Sequence, residues 1–272
     1  MNAERIPESC SPFILHRSAF VFALLLAACT SAPRPAAQNP SPMVDKTRAH
    51  QRLARRELET QKIGNAEVLF GSGDDLLIHF HGAAWVAMQA AGDRTMAVIN
   101  LGAGSGVYEK AFADPAAFTQ LVQSLHRPFK RIYISGFSAG YGAVRAILRN
   151  HADEIEGVML LDGIHTSYPF DATKLEPFLA FARRAVAGEK AMVITHSEIF
   201  PGTFASTTEC TDYLIAQLGL KRTPVLKWGP GGMQQLSEVR AGRLVILGFA
   251  GNSAPDHIDH LHGMPTFVEL LR

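Results

Sequence analysis

The sequence predicts an α/β fold, a mostly parallel central sheet flanked by helices, and three observations carry that prediction. Short apolar runs recur along the chain: Leu76 to Phe80, Met96 to Leu101, Arg131 to Ser135, Gly157 to Leu161, Ala191 to Thr195 and Leu244 to Phe249. Each is apolar on both faces, as strands covered on both sides must be. The segments between them are long enough for the crossover helices that parallel strands require. No internal repeat at solenoid-like spacing and no heptad run competes with this reading.

From the N-terminus, residues 1–28 read as a signal peptide. Its apolar part, Ser18 to Ala28, follows Arg17 and is only about eleven residues long, too short for a span of roughly twenty. It ends in Leu26-Ala27-Ala28-Cys29, which resembles a bacterial lipoprotein signal. The resemblance implies lipid on Cys29 as the mature N-terminus, and so attachment to a membrane of the bacterial cell envelope. An ordinary cleaved signal is the other reading, and Glu4 and Glu8 depart from the usual positive leader. Residues 29–45, with Pro33, Pro35, Pro40 and Pro42, are a Pro/Ala-rich tether that cannot build a core.

Residues 46–272 are the expected folded domain. Charged helix formers from Lys46 to Gln61, with Leu53 and Leu58 as sparse apolar points, predict a surface helix. Packed structure is expected from Ile63 on. Ala139 to Asn150, ending in His151, predicts a helix whose small first turn can approach a strand closely. Segments 168–188 and 200–240, the second containing Gly229-Pro230-Gly231-Gly232, exceed minimal crossovers and are expected to be cap or lid elements.

The chain has 272 residues, 47% hydrophobic and 19% charged, with a formal net charge of +1, enough for one sizeable core. That balance, with no Lys/Arg block beyond Arg52 to Arg56, gives no polyanion groove, and no nucleic-acid partner is expected. Of the 3 cysteines, Cys10 lies in the leader and Cys29 at its end, so Cys210 is alone in the mature domain. No disulfide framework is available. Nothing in Thr207-Thr208-Glu209-Cys210-Thr211 lowers the Cys210 pKa, so it reads as a buried helical residue.

The chemistry concentrates where Arg131-Ile132-Tyr133-Ile134-Ser135 runs into Gly136-Phe137-Ser138-Ala139-Gly140 and then a helix. A G-x-S-x-G pattern in a strand–turn–helix setting presents its serine on a tight, strained turn, with the helix N-terminus aimed at the same point. Upstream, Leu76-Leu77-Ile78-His79-Phe80 leads into His81-Gly82-Ala83. With both features, the chain from about Leu76 onward resembles the α/β-hydrolase superfamily. The resemblance implies a nucleophile at Ser138 and an oxyanion hole formed by the N–H groups of Ala139 and of Gly82 or Ala83. A strand with His79 and His81 on one face also has a metal-binding reading.

The chain order of that family, nucleophile, acid, base, places the base after the last strand, among His257, His260 and His262. His257 is preferred for its place in the loop leaving the strand; His260 is its rival. The acid is expected at a strand tip before it: Asp162, which ends Gly157-Val158-Met159-Leu160-Leu161, is preferred over Glu198. The expected activity is serine-mediated hydrolysis of an ester, thioester or amide with a small-molecule or peptide acyl substrate and no metal or organic cofactor. Two other readings stay open: a metal hydrolase using Asp256, His257, Asp259 and His260, and a non-catalytic envelope lipoprotein. His196, Ser197, Trp85, Tyr141 and Tyr168 are candidate pocket walls.

Overall fold

The computed structural model describes residues 52–272. The expected leader, Cys29, the tether and the first part of the predicted surface helix lie outside the described residues. Residues 53–60 carry no helix, which corrects the expectation for Lys46 to Gln61 over its described part. With only Leu53 and Leu58 apolar there is no face to pack, and propensity alone does not hold so short a helix. Arg52 and Leu53 are tied instead to the C-terminal region. Arg52 Nε donates to Asp259 Oδ1 at 2.7 Å, and the Leu53 N–H donates to His262 Nδ1 at 3.1 Å.

The strands are β1 (Gln61–Ile63), β2 (Ala66–Leu69), β3 (Asp75–Phe80), β4 (Thr95–Ile99), β5 (Arg131–Phe137), β6 (Ile155–Leu161), β7 (Ala191–His196), β8 (Thr223–Trp228), β9 (Gln234–Ala241) and β10 (Leu244–Phe249). They form one sheet in the order β1-β2-β4-β3-β5-β6-β7-β10-β9-β8. From β4 to β10 every pairing is parallel, and these strands are the apolar runs of the sequence. The rims are antiparallel, β2 on β4 and β1 on β2 at one side, β9 on β10 and β8 on β9 at the other. The outermost strand on that side, β8, is mostly exposed and carries Pro224 and Lys227, which blunt an open edge.

Alternation along the central strands divides their side chains between two cores. Leu76, Ile78 and Phe80 of β3, Ile134 of β5 and Met192 and Ile194 of β7 enter one; Leu77, Tyr133 and Val193 enter the other. The helices are α1 (Ala84–Ala87), α2 (Ser105–Ala111), α3 (Pro115–Ser124), α4 (Tyr141–His151), α5 (Glu176–Val186), α6 (Thr207–Gln217), α7 (Ala254–His262) and α8 (Met264–Phe267). Tyr108, Phe118, Val144, Phe178 and Leu214, from α2 to α6, fill the first core. Val86, Leu261, Met264 and Phe267, from α1, α7 and α8, fill the second.

Helix starts follow their capping chemistry. Ser206 opens α6 and Ser253 opens α7, each in a reciprocal capping box with an acid three residues on, Glu209 and Asp256. Most of segments 168–188 and 200–240, expected as cap elements, belongs to the body of the fold. The helix α5 buries Phe178, Leu179, Phe181, Ala182 and Ala185 as the crossover between β6 and β7. Gly229-Pro230-Gly231-Gly232 connects two antiparallel rim strands. An amphipathic crossover and an alternating rim strand both lack a continuous apolar run, which is why the sequence set them apart.

Candidate active site

At the C-terminal end of β5 the chain turns through Ser138–Gly140, a short 3-10 turn, into α4. Ser138 has φ 48°, in the left-handed region that costs a residue with a side chain about 1–3 kcal/mol. The flanking glycines are required by contact. A Cβ on Gly136 would lie 2.8 Å from the carbonyl carbon of Gly140, and one on Gly140 would lie 2.0 Å from the oxygen of Phe80. A third glycine locks the turn from the neighbouring strand, since a Cβ on Gly163 would lie 2.4 Å from the Ser138 oxygen and 2.7 Å from its nitrogen. Gly163→Ala must therefore displace the turn or the end of β6. The expected result, read as kcat and Tm together, is a loss of about 10²-fold in turnover and about 1–3 kcal/mol in stability.

Asp162 follows β6 directly, with φ 43°. Its Oδ1 accepts the Ser197 N–H at 2.8 Å, and its Oδ2 accepts Ser197 Oγ–H at 2.7 Å and the His257 Nδ1–H at 2.7 Å. Asp162 is 3% exposed. Burial by itself raises its pKa; the His260 ring, the bond and charge of His257 and the Ser197 N–H outweigh that and hold it well below the usual carboxylate range. A carboxylate can only accept, so it assigns the proton of neutral His257 to Nδ1 and leaves Nε2 as an acceptor. His257 stands in the first turn and a half of α7, its ring stacked on Phe137 at 4.5 Å between centroids. Ser138, Asp162 and His257 line one cavity of about 330 Å³, with Ile199, Pro201 and Phe204 on its wall.

The rival residues are elsewhere. Among the candidate imidazoles, His260 is 1% exposed, and its Nδ1 is bonded to Thr195 Oγ1 at 2.8 Å. His262 is engaged by the Leu53 N–H and by a T-shaped contact with the Trp85 ring. Glu198 is exposed, and its N–H donates to the Gly251 oxygen at 2.8 Å. Glu198→Gln is accordingly expected to leave kcat/KM within about twofold, as surface changes away from the reacting groups do. A steady-state comparison with the unaltered protein checks it.

The 256–262 cluster does not converge on one point. Asp256 caps its own helix through Ser253, Asp259 pairs with Arg52, and the imidazoles reach three different partners. No group of three or more His, Cys, Asp or Glu among the described residues is arranged to hold a metal. His79 is buried, bonded to Ser135 Oγ at 2.8 Å, and burial pushes its pKa down to about 3; His81 bonds the Tyr108 hydroxyl instead. Burial pushes the Cys210 thiol up to about 12, which removes it as a nucleophile.

Of the expected oxyanion donors, Ala139 lines a second cavity together with Ser138, and its N–H belongs to the first turn of the helix, where no earlier helical carbonyl can accept it. Gly82 has φ 107°, and a Cβ there would lie 2.8 Å from Leu261 and 3.1 Å from Phe137. The loop thus passes against the residue before Ser138. Ala83 caps α1 with its carbonyl, and neither Gly82 nor Ala83 is among the lining of the two cavities. Of the candidate walls, Tyr141 lines the second cavity, whereas Trp85 packs on His262 and the Tyr168 hydroxyl donates to Glu209. His196 is a buried partner of Arg222.

Sequence reasoning missed Gly163, the clamp of Ser197 on Asp162, and His165, which lines both cavities and whose Nδ1 is bonded to the Ala205 oxygen at 2.9 Å. The signal available for all three was position. Residues just past the C-terminal ends of parallel strands gather at one edge of the sheet.

A parallel-centred α/β sheet bearing a strained serine turn and, at the same edge, a buried aspartate bonded to a half-buried histidine defines the class of protein. No family model and no curated protein matches the chain. Solved structures with a similar chain course include an IroE-like serine hydrolase from Shewanella oneidensis, 12% identical, covering 78% of this chain and 80% of that one, with a TM-score of 0.45. A monoacylglycerol lipase from Paleococcus ferrophilus is 10% identical, with 78% and 100% covered and a TM-score of 0.41. An alpha/beta hydrolase fold protein from Chitinophaga pinensis is 9% identical, with 78% and 94% covered and a TM-score of 0.41. At identities this low the activities in their names remain those proteins' own.

Proposed function

We propose that the protein is a serine hydrolase that cleaves a carboxylic ester, with thioesters and amides open to the same machinery. The observation that carries this reading is the 2.7 Å bond from His257 to Asp162 in the cavity that Ser138 lines. The Ser138 hydroxyl attacks the acyl carbon and passes its proton to His257 Nε2; Asp162 steadies the imidazolium; N–H groups at Ala139 and at Gly82 or Ala83 receive the oxyanion. The C–O bond to the leaving group then breaks as His257 returns the proton to it. Water, deprotonated by His257, attacks the acyl carbon; the bond from that carbon to Ser138 Oγ then breaks as His257 passes the proton to Oγ, which releases the acid and restores Ser138. Every proton and electron pair in this sequence is accounted for without a metal or organic cofactor.

The test is covalent labelling with a fluorophosphonate. The folded protein is expected to take one label at Ser138, and Ser138→Ala none. Absence of label on the intact protein, alongside a labelled control hydrolase, would replace this reading by that of a non-catalytic binding protein.

We further propose that the enzyme is exported and held at the cell envelope through lipid on Cys29, with residues 29–45 as spacer. The sequence pattern supports this, and no helix among the described residues is long and apolar enough to cross a membrane. Cys29→Ser is expected to move the protein from the membrane fraction to the soluble fraction; unchanged partitioning would rule lipidation out.

A further inference from the structure

Ser138 stands between two cavities of different character. The one with His257 and Asp162 has Ile199, Pro201, Phe204 and Ala254 as its apolar walls and no Lys or Arg in its lining. The other, about 440 Å³, is lined by Ser138, Ala139, Tyr141, Thr166, Arg145 and Lys174, among others. Arg145, on α4, is 5% exposed. Its Nη2 is bonded to Glu109, while its Nε and Nη1 are buried with no hydrogen-bond partner among the described residues. Its guanidinium carbon lies 5.3 Å from the centre of the Tyr141 ring, and Lys174 brings a second cation to the lining of the same cavity.

The surrounding charges favour an anion in this cavity. Glu109 is shared, taking Arg149 Nη1 at 2.9 Å as well as Arg145. Lys174 Nζ donates to Ser167 Oγ at 3.3 Å and stands 3.8 Å from Asp171 Oδ2. Arg145, Arg149 and Lys174 thus face Glu109 and Asp171, with one positive charge over. The helix geometry brings the charge within reach of the nucleophile. Arg145 is seven residues on from Ser138, roughly 10 Å of helical rise, and long side chains lean back toward the N-terminus.

The direction of proton transfer decides which part of a substrate lies there. His257 lines only the first cavity and must protonate the departing oxygen, so the leaving group lies on that side. The acyl chain that stays on Ser138 points the other way. We infer that the second cavity is an acyl subsite for a carboxylate, so that the preferred substrates are monoesters of short dicarboxylic acids, the free carboxylate held by Arg145 and Lys174. The inference rests on the serine-hydrolase reading for the assignment of the acyl side.

Binding to the Ser138→Ala protein tests it without turnover. Monomethyl adipate and methyl hexanoate, of equal chain length, are compared by calorimetry. Monomethyl adipate is expected to bind at least about tenfold more tightly, as a charge-assisted contact provides. Lys174→Gln in the same background, a half-exposed position that does not hold the core, is expected to remove most of that difference. Raising NaCl from roughly 0.05 to 0.5 M is expected to reduce it. Equal affinity for the two esters, undetectable binding of monomethyl adipate, or a preference untouched by Lys174→Gln overturns the inference. If monomethyl adipate binds as expected but Ser138 takes no fluorophosphonate, the anion site stands and the hydrolase reading falls.

Discussion

His257→Ala is expected to lower kcat by about 10⁶-fold, the scale on which losing the base of a serine triad equals losing the triad. The structure gives the reason. Asp162 holds the Nδ1 proton, so Nε2 is the acceptor available at the cavity that Ser138 lines. His260 cannot take over, because its ring is buried against Thr195 and Phe249. The substitution also removes the ring stacked on Phe137, at a cost of about 1 kcal/mol. Thermal unfolding therefore separates the two effects: Tm shifts by a few degrees while single-turnover acylation nearly vanishes. Activity within tenfold of the parent would move the base to another residue.

Asp162→Asn is expected to lower kcat by about 10⁴-fold through the imidazole tautomer. The amide oxygen belongs at the Oδ1 position, where it still accepts the Ser197 N–H. That puts the amide NH₂ at the Oδ2 position, facing His257 Nδ1. His257 must then offer a lone pair at Nδ1 and carry its proton on Nε2, where it can no longer receive one from Ser138. The same variant has a pH signature. The Asp162 pKa is depressed in the folded protein, so its contribution to stability is fully present above the unfolded value of about 3.9 and is lost as pH falls through the lower folded value. The Tm gap between parent and Asp162→Asn is expected to be flat above about pH 5 and to narrow below about pH 4. Burial holds the His79 and His196 pKa values down to about 3 and about 4, so their contributions are lost as pH falls from the unfolded value of about 6.5, before the Asp162 contribution is. A gap that widens toward low pH would contradict the assignment.

The parallel centre of the sheet was legible because strands buried on both faces leave apolar runs that no other element explains. The rims were not. The strand β8 is almost all exposed and β9 buries only Gln235 and Val239, and their pairing depends on a neighbour some residues away rather than on local pattern. Ser138 was legible for the same local reason, since its turn is built from adjacent residues. The sequence preferred Asp162 to Glu198 and His257 to His260 only by their places at strand ends, because Asp162 and His257 are 95 residues apart and their bond is a fact of sheet order.

By itself, then, the sequence determined the α/β class, the central strands and the serine turn, each carried by periodicity and glycine within a few consecutive residues. Only the tertiary structure decided that Asp162, not Glu198, meets an imidazole, that this imidazole is His257 while His260 is sealed beneath, and that Arg145 and Lys174 line a cavity at the serine. The physical reason is range. Local sterics are written in neighbouring residues, whereas burial, hydrogen-bond partnership and charge balance at a site are settled between side chains that the folded sheet brings to one edge.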